Sequence, residues 1–275
     1  MNELKVLVLD LETLKNPDEV GGWGNSWKMG ISVLVAQPLI VDINGIHKAD
    51  NPYNIYTDPV RPQRDAIITD CLNWADVIVS HNGLSFDYKV LAGSLSLSWD
   101  WVKVNLFPKT IDFLHQIKIR HNVRISLQNV ATRTLGEKRV KDLPGDKVVE
   151  YWRSGDPVRR QQVIQHCIDD VEWTSEIFCE MYKRTEWAKG VPTGRITFYN
   201  PYEAEARKNG TEAERRITGN CVISYPKRMR EILAEWGAGG KATKENPAGA
   251  VASDDSDPFG DAGPSLPTGE GDDVK

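Results

Sequence analysis

The chain has 275 residues, of which 40% are hydrophobic and 27% charged, enough apolar material for one large core with appendages. Its formal net charge of −5 sits at one end: residues 253–275 hold seven acids against Lys275, a net of −6 that leaves +1 for residues 1–252, so the acidic balance does not exclude a nucleic-acid partner. No run of about 18 apolar residues is present to span a membrane, and Cys71, Cys167, Cys179 and Cys221 form no zinc or disulfide pattern, which points to a reducing, cytoplasmic setting.

The opening run Lys5–Leu9 is Val- and Leu-rich and reads as a strand buried on both faces. Asp10 and Glu12 close it, and the alternation of a strand puts both on one face with Leu11 on the other. Adjacent like charges repel, so this edge either runs out into solvent or holds a divalent cation. Residues 14–29, rich in Gly and Asn and carrying Trp23 and Trp27, read as an exposed loop. Residues 30–38 and 39–43 read as two strands, Asn44-Gly45 as a hairpin turn and residues 53–57 as a short edge strand, giving an antiparallel meander.

Ile67, Ile68, Cys71, Leu72 and Ala75 have helical spacing over residues 62–76. Val77-Ile78-Val79 is a short buried strand returning beside the first, and it delivers His81-Asn82-Gly83-Leu84-Ser85-Phe86-Asp87. Gly83 permits a tight turn, which places Asp87 on the first turn of a helix, either as a cap or facing the Asp10/Glu12 edge. Residues 102–107 read as a strand and 109–119 as a helix. Ser126 is an N-cap for residues 127–135, closed by Gly136.

A charged loop with Lys138, Arg139 and Lys141 follows, then a short helix over 147–153. The last long helix starts at Pro157 and runs to about Arg184, with Val163, Cys167, Val171, Thr174 and Phe178 facing inward. Its His166 and Asp170 lie four apart on one face, a spacing shared by surface ion pairs and catalytic pairs. Residues 195–199 and 221–225 read as strands of a small accessory unit, with a helix over 226–236. Beyond Gly237 the composition predicts disorder. The expected organisation is thus a domain over 1–188, an accessory extension over 189–236 and a disordered acidic tail over 237–275.

In order, a strand ending Asp-x-Glu, a strand leading into Asn-Gly-x-x-Phe-Asp, and a late helix with His166 four residues before Asp170 resemble the DEDD superfamily of 3′–5′ exonucleases, the DnaQ-like branch of the ribonuclease H-like fold. The resemblance covers residues 5–180. It implies an α/β fold with a mixed sheet and helices on both faces, and it implies that Asp10, Glu12, Asp87 and Asp170 are metal-binding carboxylates. Such hard oxygen ligands suit two Mg²⁺ or Mn²⁺ ions. His166 departs from the pattern: the histidine-type members place the base five positions before the last Asp, and the tyrosine-type members place a Tyr at four. Here a His takes the tyrosine spacing, as the residue that orients or deprotonates the attacking water; Asp169 rivals Asp170 but lies about 100° round the helix.

For substrate contacts the resemblance implies Asn82 and Phe86, with Thr13 and Leu14 touching the terminal nucleotide and Lys138, Arg139 and Lys141 available to phosphates. Phe86 reads equally as a core residue, and Trp23 and Trp27 either stack bases or anchor packing. The expected function is metal-dependent 3′–5′ hydrolysis of DNA, single-stranded or at ends, in replication or repair. The alternatives are a weakly catalytic nucleic-acid-binding adaptor and an RNA 3′–5′ exonuclease. The acidic tail, bearing Asp254, Asp255, Asp257 and Phe259, either keeps the chain soluble or docks a replication or repair protein.

Overall fold

The computed structural model describes residues 3–48, 53–57, 61–136, 139–198 and 219–239. A central mixed sheet is built from β1 (Leu4–Thr13), β2 (Ile31–Asp42), β3 (Gly45–Lys48), β4 (Asn54–Thr57), β5 (Val77–Ser80) and β6 (Thr110–Asp112). Its order is β3-β2-β1-β5-β6, with β4 also paired to β2. The β1–β2–β3 meander is antiparallel, and β5 and β6 run parallel to β1.

Alternation along β1 sorts its side chains into two cores. Leu4, Val6 and Val8 pack with Ile117 of α4 (Phe113–His121), Val130 of α5 (Leu127–Leu135), Trp152 of α6 (Val148–Arg153) and the inner face of α7 (Pro157–Lys183). Leu7, Leu9 and Leu11 pack on the opposite face with Leu72 of α1 (Arg61–Trp74), Leu91 of α2 (Asp87–Ser94) and Val102 of α3 (Trp99–Asn105). Helices therefore cover both faces of the sheet, as expected. The same parity that sends Val6 and Val8 toward α7 sends Asp10 and Glu12 there too.

Two sequence-based expectations are corrected. Residues 31–42 form one strand rather than two, because β1 pairs with them without a break from Val33 to Val41. Pro38 stands in the gap between the outer neighbours, which cover only 33–36 and 39–42. Residues 102–107 are not a strand: they belong largely to α3, whose N-cap Ser98 accepts the Trp101 N–H at 3.1 Å. Val102 and Leu106, four apart and fully buried, mark its inward face, and the strand in this region is the three-residue β6.

The long helix α7 begins where Asp156 accepts the Val158 N–H at 2.8 Å, with Pro157 in its first turn. Val163, Cys167, Val171, Thr174 and Phe178 are all buried, as their spacing predicts. A second, antiparallel sheet joins β7 (Glu186–Ala188), β8 (Val191–Thr197) and β9 (Asn220–Ser224), followed by α8 (Lys227–Gly239). Ile196, Ile223, Met229 and Ile232 share the apolar cluster of α7, and the Gln116 amide of α4 pairs with the Ser224 backbone at 2.7 and 2.9 Å. Helix α8 runs three residues past the expected end. The tail from residue 240 lies outside the described residues. No helix among those described is long and apolar enough to cross a membrane.

Candidate active site

The end of β1 brings Asp10 and Glu12 to the rim of the sheet, at a point where the pairing with β2 slips between Glu12 and Thr13. Such a bulge bends a strand and re-aims its side chains. From the same α7 face come His166 and Asp170: the His166 Nε2 lies 3.5 Å from Glu12 Oε1 and 4.0 Å from Asp170 Oδ2. Ligand-type atoms of Glu12, His166 and Asp170 all lie within 4.8 Å of one another. Asp169 accepts from Gln165 at 2.7 Å and is not among the atoms of that group. Cys167, between them, donates to the Asp10 carbonyl at 3.4 Å and sits 3.6 Å from Asp10 Oδ2.

Asp87 arrives from the other side of the sheet. Residue 82 takes a left-handed φ of 79°, and a Cβ at Gly83 would meet Ser80 Oγ at 2.3 Å, so the chain turns sharply after β5. Asp112 at the end of β6 holds this turn: its Oδ1 accepts the N–H of Asn82 at 2.9 Å and of His115 at 3.0 Å, and its Oδ2 that of Leu84 at 2.9 Å. The turn sets Asp87, buried, at the start of α2, where the Leu11 N–H of β1 stabilises its charge. His81 is anchored through Nε2 to the Ile125 carbonyl at 3.0 Å.

Electrostatics reflect this convergence. Burial, then repulsion from Asp87, Asp170 and Glu12, pushes Asp10 well above the ordinary carboxylate range. Burial and Asp170 raise Glu12 to about 8, and burial raises Asp87 to about 7. Burial also raises Asp170, against the pull of Lys141. Lys141 is the counter-ion of the cluster: its Nζ lies 2.6 Å from Asp170 Oδ2 and 3.5 Å from His166 Nε2. Burial opposes its charge, but Asp170, Asp10 and Glu12 more than offset that, and its pKa rises. Burial, and then Lys141, lowers His166 to about 4, so the imidazole is neutral at physiological pH.

Asp10, Asn82, Lys141 and Asp170 line one cleft of about 340 Å³, together with His81 and Arg124. Of the other sequence candidates, Thr13 donates its hydroxyl to the Lys15 carbonyl at 3.1 Å, and Leu14 donates its N–H to the Gly30 carbonyl at 3.1 Å and lines a neighbouring pocket. Phe86 packs edge-on against Trp23 at 5.8 Å. Arg139 pairs with Glu176 at 2.9 Å. Lys138 lies outside the described residues. Sequence reasoning missed Asp112 and the insertion of Lys141: the first stands in a stretch read as helix interior, and the second was one of several charges in a loop. The caps of a following helix were the available signal for Asp112.

A family model described as RNase_H superfamily matches residues 44–182, about half of the chain and including Asp87, His166 and Asp170. The chain belongs to the RNase_H superfamily. Its ribonuclease H-like fold points to a nuclease, a class that acts on nucleic acid and generally uses divalent metal ions, and the Glu12–His166–Asp170 group is one that could hold such an ion. The family B DNA polymerase from the hyperthermophilic archaeon Pyrobaculum calidifontis is similar at 19% identity with a TM-score of 0.44, over 62% of this chain and 24% of that chain. No curated protein matches the sequence.

The donor set fits a hard divalent cation. Asp87 Oδ1 and Asp170 Oδ1 are buried with no hydrogen-bond partner, and a buried carboxylate oxygen left unpartnered is costly unless a cation takes it.

Proposed function

We propose that this chain is a metal-dependent 3′–5′ exonuclease of the DEDD, DnaQ-like group, hydrolysing terminal phosphodiesters of DNA to nucleoside monophosphates in replication or repair. The observation that supports the reading is the Glu12–His166–Asp170 group joining β1 to α7, with Asp10 beside Asp170 in the cleft and Asp87 of α2 close enough to repel Asp10, in a chain of the RNase_H superfamily. Asp10, Glu12, Asp87 and Asp170 are assigned as the ligands of two Mg²⁺ or Mn²⁺ ions. When bound, such ions supply an activated nucleophile and charge stabilisation for an in-line displacement.

The remaining chemistry is assigned to side chains. His166, neutral and facing the Glu12–Asp170 gap, accepts a hydrogen bond or proton from the attacking water. Burial and the nearby Lys141 ammonium make it a weak base, so orientation of the water is its first role. Lys141 pairs with Asp170 and lines the cleft; released from that acid, its ammonium is placed to pair with a phosphate oxygen. Asn82, on the cleft wall, positions the terminal nucleotide.

A single strand labelled at its 5′ end and incubated with Mg²⁺ or Mn²⁺ tests the assignment. A ladder shortening from the 3′ end, absent in Asp10→Ala and Asp170→Ala, is the expected result. The ion pair that already neutralises Asp170 favours the second reading, an adaptor with negligible turnover, and strand binding without any metal-dependent product would select it. Parallel DNA and RNA oligomers of one sequence decide the sugar preference.

A further inference from the structure

Beyond the carboxylate cleft, a second surface is built for an unpaired strand. The segment between β1 and β2 carries Trp23 and Trp27, 68% and 50% exposed, on two short 3₁₀ turns. Two exposed tryptophans four residues apart on one segment, unlike a single scattered side chain, offer paired aromatic faces to a partner. This segment is nonetheless held firmly. The Asn16 N–H donates to Glu19 at 2.7 Å, Glu19 pairs with Arg153 of α6 at 2.7 Å, and Gly21 and Gly22 supply φ values of 83° and 102°. At its far end the Trp27 carbonyl presses on α2 so closely that a Cβ at Gly93 would lie 1.8 Å from the oxygen.

The Trp23 ring and the Trp27 backbone thus meet α2 near its two ends, at Phe86 and Gly93, which a helical rise sets about 10 Å apart. Trp23 stands against Phe86, the residue before Asp87. Trp27 borders a pocket of about 290 Å³ with Leu14, Lys15, Lys28, Arg64 and Gly93. Among the described residues neither Lys15 nor Lys28 has an acid within 4 Å, although Lys15 acts at longer range on Glu19, and the Lys28 ammonium lies 4.8 Å from the Trp27 ring centre. Arg64, buried beneath, is tied to Asp65 at 2.8 Å. Leu14 follows the Asp10–Glu12 edge directly, so the pocket is continuous in sequence with the metal-seeking acids.

We infer that this loop is a stacking platform for single-stranded nucleic acid, with the bases upstream of the scissile end on Trp23 and Trp27 and a phosphate between Lys15 and Lys28. The inference rests on the nuclease reading for its direction, from the carboxylates outward along α2. Rigid aromatic faces interleaved with these cations suit unpaired bases and a phosphodiester backbone; a base pair in a duplex would hide the faces the tryptophans need. Nothing in this surface reads a base edge, so binding is independent of sequence.

The test is fluorescence anisotropy of a 5′-labelled 12-mer with the full chain in EDTA, which separates binding from turnover. The wild type should bind the single strand at least tenfold more tightly than the blunt duplex. Trp23→Ala/Trp27→Ala should weaken single-strand binding roughly tenfold or more, and Trp23→Phe/Trp27→Phe should restore most of it. Lys15→Ala/Lys28→Ala should flatten the salt dependence, by about 0.7 in slope for each phosphate no longer neutralised. Equal affinity for duplex, or single-strand binding indifferent to the alanine pair in protein with unchanged circular dichroism, would overturn the platform; an exposed surface that serves a protein partner would give that second result. Metal-dependent cleavage by the wild type is scored alongside. Cleavage with Trp-independent binding sinks the platform alone, whereas Trp-dependent binding with no cleavage sinks the nuclease reading alone.

Discussion

Asp112 commits both carboxylate oxygens to three backbone N–H groups, two of them in the turn that aims Asp87. An amide in its place keeps one acceptor and turns the other position into a donor facing an N–H. Hydrogen bonds to a charged group contribute about 1.5–3 kcal/mol, so Asp112→Asn should lower the melting temperature by roughly 4–8 °C and reduce turnover through a loosened Asp87. Calorimetry and the strand-shortening assay check both. His166 makes a different case, since it touches the reacting water in the proposed mechanism. Its removal by His166→Ala should cut kcat roughly 10²- to 10⁴-fold while anisotropy in EDTA shows an unchanged strand affinity. The alternation of β1 and the four-residue spacing on α7 made Asp10 and Glu12, and likewise His166 and Asp170, legible as neighbours from the sequence. Asp112 and Lys141 were not visible in this way, because their roles depend on which distant backbone and which distant acids they reach.

At the scale of elements, strands and helices with strong periodicity or clear caps were readable: β1, the Asn44-Gly45 hairpin, α5 with its Ser126 cap and Gly136 stop, and α7 behind Asp156-Pro157. The failures have physical causes. Val102 and Val104 mimic strand alternation over a stretch too short to show a helical period, and β6, at three residues, is defined by its parallel pairing to β5 rather than by its own composition. Equally invisible was the seating of the tryptophan segment on α2, which depends on Gly93 having no side chain. Gly93→Ala should displace the Trp27 carbonyl, because a Cβ 1.8 Å from that oxygen cannot be accommodated without moving the loop. The expected outcome is a shifted tryptophan emission and a lowered melting temperature with the far-ultraviolet circular dichroism kept; unaltered emission would show that the loop is not clamped there.

The whole molecule carries a cost at its centre that a cation would relieve. In the metal-free chain Glu12 titrates at about 8, Asp87 at about 7 and Asp10 well above the ordinary range, whereas in the unfolded chain all three lose their protons near pH 4. Between these values the native state binds more protons than the unfolded state, so stability falls as pH rises. His166, lowered to about 4, and His81, also lowered by burial, act in the opposite sense only below about 6.5. The window that isolates the acids is therefore pH 6.5 to 8. Melting curves in EDTA should shift down by several degrees across it, and millimolar Mn²⁺ should restore the loss at pH 8 by binding the native state alone. A metal-free curve that is flat or rising in this window would mean that the acids do not share one buried site.

The most direct measurement is the binding of Mn²⁺ itself, followed by electron paramagnetic resonance as the ion loses its free-solution signal. A pair of ions held by the wild-type chain, and a clear loss of binding in Asp10→Asn and Asp170→Asn proteins that keep their circular dichroism, is the predicted result. A folded wild-type chain that leaves Mn²⁺ free at millimolar concentration, or variants that bind it as the wild type does, would contradict the assignment of these carboxylates as the metal centre.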